Sequence, residues 1–195
     1  MALKIGITGG IGSGKTTVCH IFETLGIPIY YADDRAKALM VTDKKLVESI
    51  ISLFGKEAYL PDDSLNRQHI AQIAFHNPLI LRELNNIVHP SVFRDGEQWH
   101  KDQKGVPYTL KEAALLFESG SHSALDKIIT VYAPKELRIE RVMVRNGLSR
   151  EEIESRMAKQ LPDEEKKERA DFVIYNDGRQ LLLPQVLAIH KVLTT

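Results

Sequence analysis

The 195-residue sequence predicts an α/β fold built on a doubly wound, five-stranded parallel sheet. Three observations carry that expectation. Five short, β-branched apolar runs alternate with helical repeats; the runs are near-continuously apolar, as strands covered on both faces are; and a glycine-rich loop joins the first run to the first helix.

The elements follow in order. Leu3 to Ile7 is apolar and stopped by glycines, which reads as a buried strand. From Lys15 the spacing becomes helical, with Val18, Ile21, Phe22 and Leu25 on one stripe and Gly26 as the stop. Ile27 to Ala32 is a second strand whose carboxyl end carries Asp33. Helical patterns then dominate from Arg35 to Lys101. They comprise Leu46 to Phe54, closed by Gly55, a stretch around Ile70 to Phe75, and a helix capped by Asn77 with Pro78 at its first position. An insert this long far exceeds a usual βα connection and is expected to cover a ligand. Further strands are expected in Tyr108 to Phe117, Lys127 to Ala133 and Phe172 to Tyr175. After Pro134 a helix runs to Gly147, Ser149 to Glu152 forms a capping box, and a charge-rich helical pair to Arg169 suits a mobile lid. The chain thus reads as one domain, 1–195, with a helical insert at about 35–104 and a lid at about 138–169.

Bulk properties narrow the function. Lys plus Arg equals Asp plus Glu at 26 each, so no global field attracts nucleic acid or an anionic membrane, and anion recognition must be local. The single cysteine, Cys19, has no internal disulfide partner and reads as a core residue. No apolar run approaches the length of a membrane span. With neither the basic start nor the long apolar core of a secretory signal, a cytoplasmic setting is expected. No coiled-coil heptad or other assembly signature appears, so the sequence leaves the oligomeric state open, with a monomer as the default expectation.

Gly9-Gly-Ile-Gly-Ser-Gly14-Lys15-Thr16 fits G-x-x-x-x-G-K-[ST] in its required context, between a strand and a helix. Such a P-loop turns backbone N–H groups around phosphate oxygens and adds the partial positive charge of a helix N-terminus. Lys15 is placed to reach the β and γ phosphates of ATP, and the Thr16 hydroxyl to ligate a bridging Mg²⁺. The fold class is therefore the P-loop NTPase type. A guanine-reading N-K-x-D is absent, which excludes a GTPase switch. For a hydrolysing ATPase, the strand ending Leu115-Leu-Phe-Glu118 makes Glu118 only a partial match to the expected terminal acid.

A small-molecule kinase needs a carboxylate to accept the acceptor's proton, cations for the transferring phosphoryl group, and a lid against water. Asp33 lies where that base belongs; the competing reading makes it an N-cap, with Asp34 as its solvated neighbour. Arg138, Arg141 and Arg145 share one helix face, which suits a polyphosphate, or else a solvated face paired with Glu136 and Glu140. A sister kinase for another small molecule or a nucleoside monophosphate, and a nucleotide-binding regulatory module without turnover, are the alternative functions.

Over essentially its whole length the chain resembles the bacterial dephospho-CoA kinases. The resemblance rests on Thr8 to Thr16, Ala32-Asp33, Leu65-Asn-Arg67, Leu84-Asn-Asn-Ile-Val-His-Pro90, Leu115 to Glu118, Arg141 to Arg145 and Tyr175-Asn-Asp-Gly178. It implies transfer of the ATP γ-phosphoryl to the ribose 3′-hydroxyl of dephospho-CoA, the last step of coenzyme A synthesis. By that resemblance Asp33 is the base, and Lys15 with Arg141 or Arg145 neutralises charge. Gly10, Ile11, Gly12, Ser13, Gly14, Lys15, Thr16, Thr17 and Arg145 bind ATP, with Asn176 and Gly178 near adenine. Thr8, Asp33, Arg67, His89, Leu115, Leu116, Phe117 and Glu118 bind the acceptor. Read without the family, His89 before Pro90 is a helix-end residue. Two positions depart from the family pattern: Tyr31 where Asp is frequent, and Ala114 where Pro is usual.

Overall fold

The structure is a computed structural model that describes residues 2–195, apart from the side chains of residues 75, 76 and 78. The chain divides into two compact units, 1–31 with 100–195, and 32–99.

The first unit is built on five strands: β1 (Leu3–Thr8), β2 (Ile29–Tyr31), β3 (Tyr108–Glu112), β4 (Lys127–Tyr132) and β5 (Phe172–Tyr175). All pair in parallel in the order β2-β3-β1-β4-β5. The chain therefore reverses its direction of winding at β1, and a ligand crevice is expected beyond the strands' carboxyl ends there. Side chains alternate with a period of two, and the alternation sorts the core. Ile5, Ile7, Tyr108, Leu110, Ile129 and Val131 face one way and pack with helix α1 (Lys15–Thr24) through Val18, Cys19 and Phe22. The C-terminal helix, the last of the chain at Leu182–Thr194, adds Val186, Ile189 and Leu193 to the same cluster. The intervening residues serve the opposite face. A Cβ on Gly6 would collide with the side chains of Leu116 and Leu125, and Thr130 donates to the Lys166 carbonyl at 3.2 Å. Tyr31 also finds a use, since its hydroxyl donates to Glu23 of α1 at 3.0 Å.

The third strand is shorter than its apolar run suggests. Pairing stops with Ala113 N–H donating to the Ile7 carbonyl, and residues 115–120 coil into turns closed by bonds from Ser119 N–H to Leu115 and from Gly120 N–H to Phe117. Leu116 and Phe117 are buried, but beneath the sheet rather than in it. An apolar run cannot by itself distinguish those two fates.

The second unit is helical: α2 (Ala32–Thr42), α3 (Lys44–Phe54), α4 (Arg67–His76) and α5, which starts at Pro78 and runs to Asp102. Asp43 caps α3 by accepting from Lys45 and Leu46 N–H groups, and Leu46, Ile50 and Phe54 form its buried stripe. Asn77 caps α5 as its sequence predicts, accepting from Leu79 and Ile80 N–H groups. Arg35 of α2 grips Asp95 of α5 with two hydrogen bonds of 2.9 and 2.6 Å. Two sequence expectations change. Helix α2 begins at Ala32, so Asp33 lies inside the first turn and not at the cap. Helix α5 continues through Pro90, so His89 is an interior helix residue. Asn86, His89 and Pro90 are all exposed there, where water can serve the carbonyl that loses its donor to the proline.

Phe22 is fully buried and meets Tyr108 edge-on, with ring centroids 6.3 Å apart. Phe22→Ala is expected to cost about 3–5 kcal/mol, read as a lower urea midpoint at unchanged slope.

Candidate active site

The loop between β1 and α1 takes its shape from glycine. Gly12 has φ +79°, and a Cβ there would lie 2.5 Å from the Arg138 carbonyl. Gly14 has φ +91°, and a Cβ there would run into the Asn176 side chain. Neither position admits another residue without strain, because both the left-handed backbone and the near neighbour forbid it. Helix α1 starts directly after Gly14, so the N–H groups of its first turn have no intrahelical acceptor and present an anion site. Thr16 and Thr17 occupy that first turn and are exposed.

Lys15 is largely buried. Its Nζ donates to the Gly9 carbonyl at 2.9 Å and lies 4.0 Å from Glu112 Oε1, and both side chains are only 11% exposed. Glu112 is the site residue the sequence reading missed. It ends β3 opposite Ile7 of β1, at the level where the loop begins. The signal was the charged pair Lys111-Glu112 interrupting the apolar run, and extending the strand to Phe117 hid it. Cys19, fully buried on α1, has its thiol pushed far up, first by burial and then by Glu112, which makes it inert as expected of a core residue.

Glu118 is therefore not the strand-terminal acid. Its carboxylate accepts from Leu161 N–H at 2.7 Å and lies 3.1 Å from Nζ of Lys166, whose side chain is wholly buried. Burial opposes its ionisation, yet the Leu161 N–H and the Lys166 ammonium together hold the carboxyl below its ordinary range. Among its neighbours, Leu116 is fully buried, Phe117 is nearly so, and Leu115 is exposed. Thr8 is fully buried and its hydroxyl donates to the Ala114 carbonyl at 3.5 Å. Thr8, Leu116 and Phe117 are thus packed side chains that hold the turn after β3 against the sheet.

The arginine face resolves into three situations along α6 (Lys135–Asn146). Arg138 is buried, ion-paired with Asp163, and donates to the Ile11 carbonyl of the loop at 3.2 Å. Arg141 donates through Nη2 to Asn176 Oδ1 at 3.3 Å, and its Nη1 is buried without a hydrogen-bond partner among the described residues. Arg145 is exposed and donates to its neighbour Asn146 at 2.9 Å. Asn176 follows β5 directly, and Gly178 turns the chain two residues later with φ +80°.

The segment after α6 is anchored more firmly than its composition suggests. Helix α7 (Arg150–Met157) has the expected capping box, with Ser149 and Glu152 each bonding the other's backbone N–H, but Ile153 is fully buried against Ile139 and Val142. Beyond it Gln160 Oε1 accepts from Ile11 N–H at 2.9 Å, and α8 (Asp163–Arg169) carries Asp163 and Lys166 into the contacts above. No signal in the sequence singled out Gln160. In the second unit, Asp33 makes no hydrogen bond or ion pair among the described residues, whereas Asp34 is paired with Lys37 at 2.7 Å. Arg67, at the start of α4, and His89 are exposed.

A glycine loop between the first strand and first helix of a sheet in this order, with a lysine opening the helix and an acid ending the adjacent strand, defines a P-loop phosphotransferase. The family profile described as dephospho-CoA kinase matches residues 3–181. A dephospho-CoA kinase of Bacteroides fragilis is 41% identical over 189 residues, covering 97% of this chain and 92% of the relative. A crystal structure from Thermus thermophilus superposes with a TM-score of 0.88 at 36% identity, covering 100% of this chain and 98% of that one. A dephospho-CoA kinase from Campylobacter jejuni superposes at 0.74 with 29% identity and the same coverage. The chain belongs to the dephospho-CoA kinase family, whose reaction is the ATP-dependent phosphorylation of dephospho-CoA in coenzyme A synthesis. No helix among the described residues is long and apolar enough to cross a membrane.

Removing the charge of Glu118 would strand a buried ammonium. Glu118→Gln is expected to destabilise the fold by about 3–5 kcal/mol at neutral pH. Because the folded carboxyl titrates below its ordinary value near 4.5, the native pair contributes fully above that pH and is lost as pH falls through the folded value. The stability difference between wild type and variant, measured by denaturant titration, should accordingly shrink as pH falls below that ordinary value.

Proposed function

We propose that this chain transfers the γ-phosphoryl group of ATP to the ribose 3′-hydroxyl of dephospho-CoA, with Asp33 as general base and Lys15 and Arg141 as the neutralising cations. The observation that carries the reading is Lys15 at the mouth of α1, held between the Gly9 carbonyl and Glu112 beside first-turn helix amides that have no intrahelical acceptor. A cation so placed, next to the N-terminus of a helix, suits a polyphosphate.

In the proposed reaction Asp33 accepts the proton of the 3′-hydroxyl as its oxygen forms the new P–O bond. The bond from the γ-phosphorus to the bridging oxygen breaks, and ADP leaves with the charge that Lys15 and Arg141 offset. Asp33 is favoured over Asp34 because Asp34 is already committed to Lys37. Arg141 is favoured over Arg145 because its guanidinium is tied to the loop through Asn176, while Arg145 bonds only its neighbour. Residues 10–17 would bind the phosphates, residues 176–178 would lie near the adenine, and α7 would act as the lid. Arg67 and His89, on the helical insert, would shape the acceptor pocket.

The donor set also fits Mg²⁺. Among the described residues no cluster of three or more His, Cys, Asp or Glu could cage a metal, so the ion would draw most of its ligands from phosphates and water, as Mg²⁺ does. Thr16 would hold it near the buried Glu112 carboxylate, and the ion would supply charge neutralisation of the nucleotide phosphates. The setting we propose is the cytoplasm, and the working form a monomer.

The direct test is acceptor-dependent ADP release by the purified chain, with dephospho-CoA compared against shikimate, gluconate and nucleoside monophosphates. A higher kcat/KM for another acceptor would move the chain to a sister activity, and ATP binding without turnover on any acceptor would make it a regulatory module. Asp33→Asn is expected to lower kcat by about 10²- to 10⁴-fold with KM for ATP nearly unchanged. Wild-type turnover in that variant would remove Asp33 from the chemistry.

A further inference from the structure

Asn176 engages two other elements of the protein through its side chain. Its backbone N–H donates to the Tyr132 carbonyl at 2.8 Å, which extends the β4–β5 pairing by one residue and fixes the asparagine to the sheet. Its side chain then spans two elements. Nδ2 donates to the Ser13 carbonyl inside the phosphate loop at 2.8 Å, and Oδ1 accepts from Arg141 Nη2 at 3.3 Å. The amide has one productive orientation, because exchanging its oxygen and nitrogen would set two acceptors together at Ser13 and two donors together at Arg141. The contact is close enough that Gly14 has no room for a Cβ beside it.

Arg141 is the group that this arrangement serves. A guanidinium on a helix has several rotatable bonds, and without a second-element contact it would sample much of the surrounding space. Here one nitrogen is tied through Asn176 to the loop, while Nη1 is buried with no hydrogen-bond partner among the described residues. A buried donor left unsatisfied is costly, and an arriving anion relieves that cost.

We infer that Asn176 is a positioning residue: it buckles Arg141 to the phosphate loop, so that the cation is in place before the γ-phosphoryl develops charge. The inference rests on the neutralising role proposed for Arg141, and it differs from a role for the Asn176 side chain in reading adenine. It also accounts for Gly14 in a second way, since the glycine makes space for the buckle as well as for the left-handed turn.

A double-mutant cycle tests it, with kcat and KM for ATP and for GTP measured on Asn176→Ala, Arg141→Ala and the double variant. Arg141→Ala is expected to lower kcat by about 10²-fold. Asn176→Ala should lower kcat by about tenfold to a hundredfold with a much smaller change in KM and an unchanged preference for ATP over GTP. The double variant should be no slower than Arg141→Ala alone, because the two residues act through one cation. Multiplicative losses, or a shift in base preference in Asn176→Ala, would overturn the inference. Wild-type kcat in Arg141→Ala would instead overturn the neutralising role on which it rests. Should Asn176→Ala fail to fold, Asn176→Ser enters the same cycle, its hydroxyl being too short to reach both partners.

Discussion

A loop that must leave the first-turn amides of α1 open to an anion has to be held in shape by its surroundings, and this constraint organises the sheet-containing unit. The phosphate loop is touched from every side. Lys15 reaches back to Gly9, Arg138 holds the Ile11 carbonyl, Gln160 holds the Ile11 N–H, and Asn176 holds the Ser13 carbonyl. Each contact uses a loop group that faces outward, leaving the first turn of α1 for phosphate. Preorganisation of this kind moves the entropic cost of arranging the cradle from the binding event to the folding of the chain.

The same constraint explains two buried ion pairs in an otherwise apolar setting. Arg138 with Asp163 and Lys166 with Glu118 place charges where desolvation is expensive, and apolar packing would stabilise the fold at least as well. What the charges add is direction. Arg138 must donate to a loop carbonyl, and Glu118 must accept from Leu161 N–H, so the segment from Gln160 to Lys166 can settle in only one register against the loop. The result is a segment whose inner part is fixed to the loop, whereas its outer helix, α7, is joined through one fully buried side chain among the described residues, Ile153.

Much of this was legible in the sequence. The glycine loop, its lysine, the caps at Asn77 and Ser149 and all five strands were recoverable, because each depends on residues close together in the chain. Where the reading failed, a non-local contact had decided. The run from Tyr108 to Phe117 is largely apolar around the charged Lys111 and Glu112, whether it stays in the sheet or folds beneath it, and packing of Leu116 over Gly6 accompanies the second course. That choice moved the strand-terminal acid from Glu118 to Glu112. Pro90 likewise marks a helix end by local rules, yet α5 runs through it.

The sequence by itself determined the kind of chemistry, since a left-handed glycine turn, an ammonium and a hydroxyl in that order are covalently adjacent and need no partner to be recognised. Tertiary structure alone decided which charges serve it. Arg138, Arg141 and Arg145 are equivalent on a helical wheel, and they diverge because Asp163, Asn176 and solvent respectively meet them. Gln160 carries no local signature, and Glu112 only the weak one of a charged pair inside an apolar run. Their importance arises from long-range contacts, 97 residues along the chain for Glu112 with Lys15 and 149 for Gln160 with Ile11, that only the assembled sheet brings within reach.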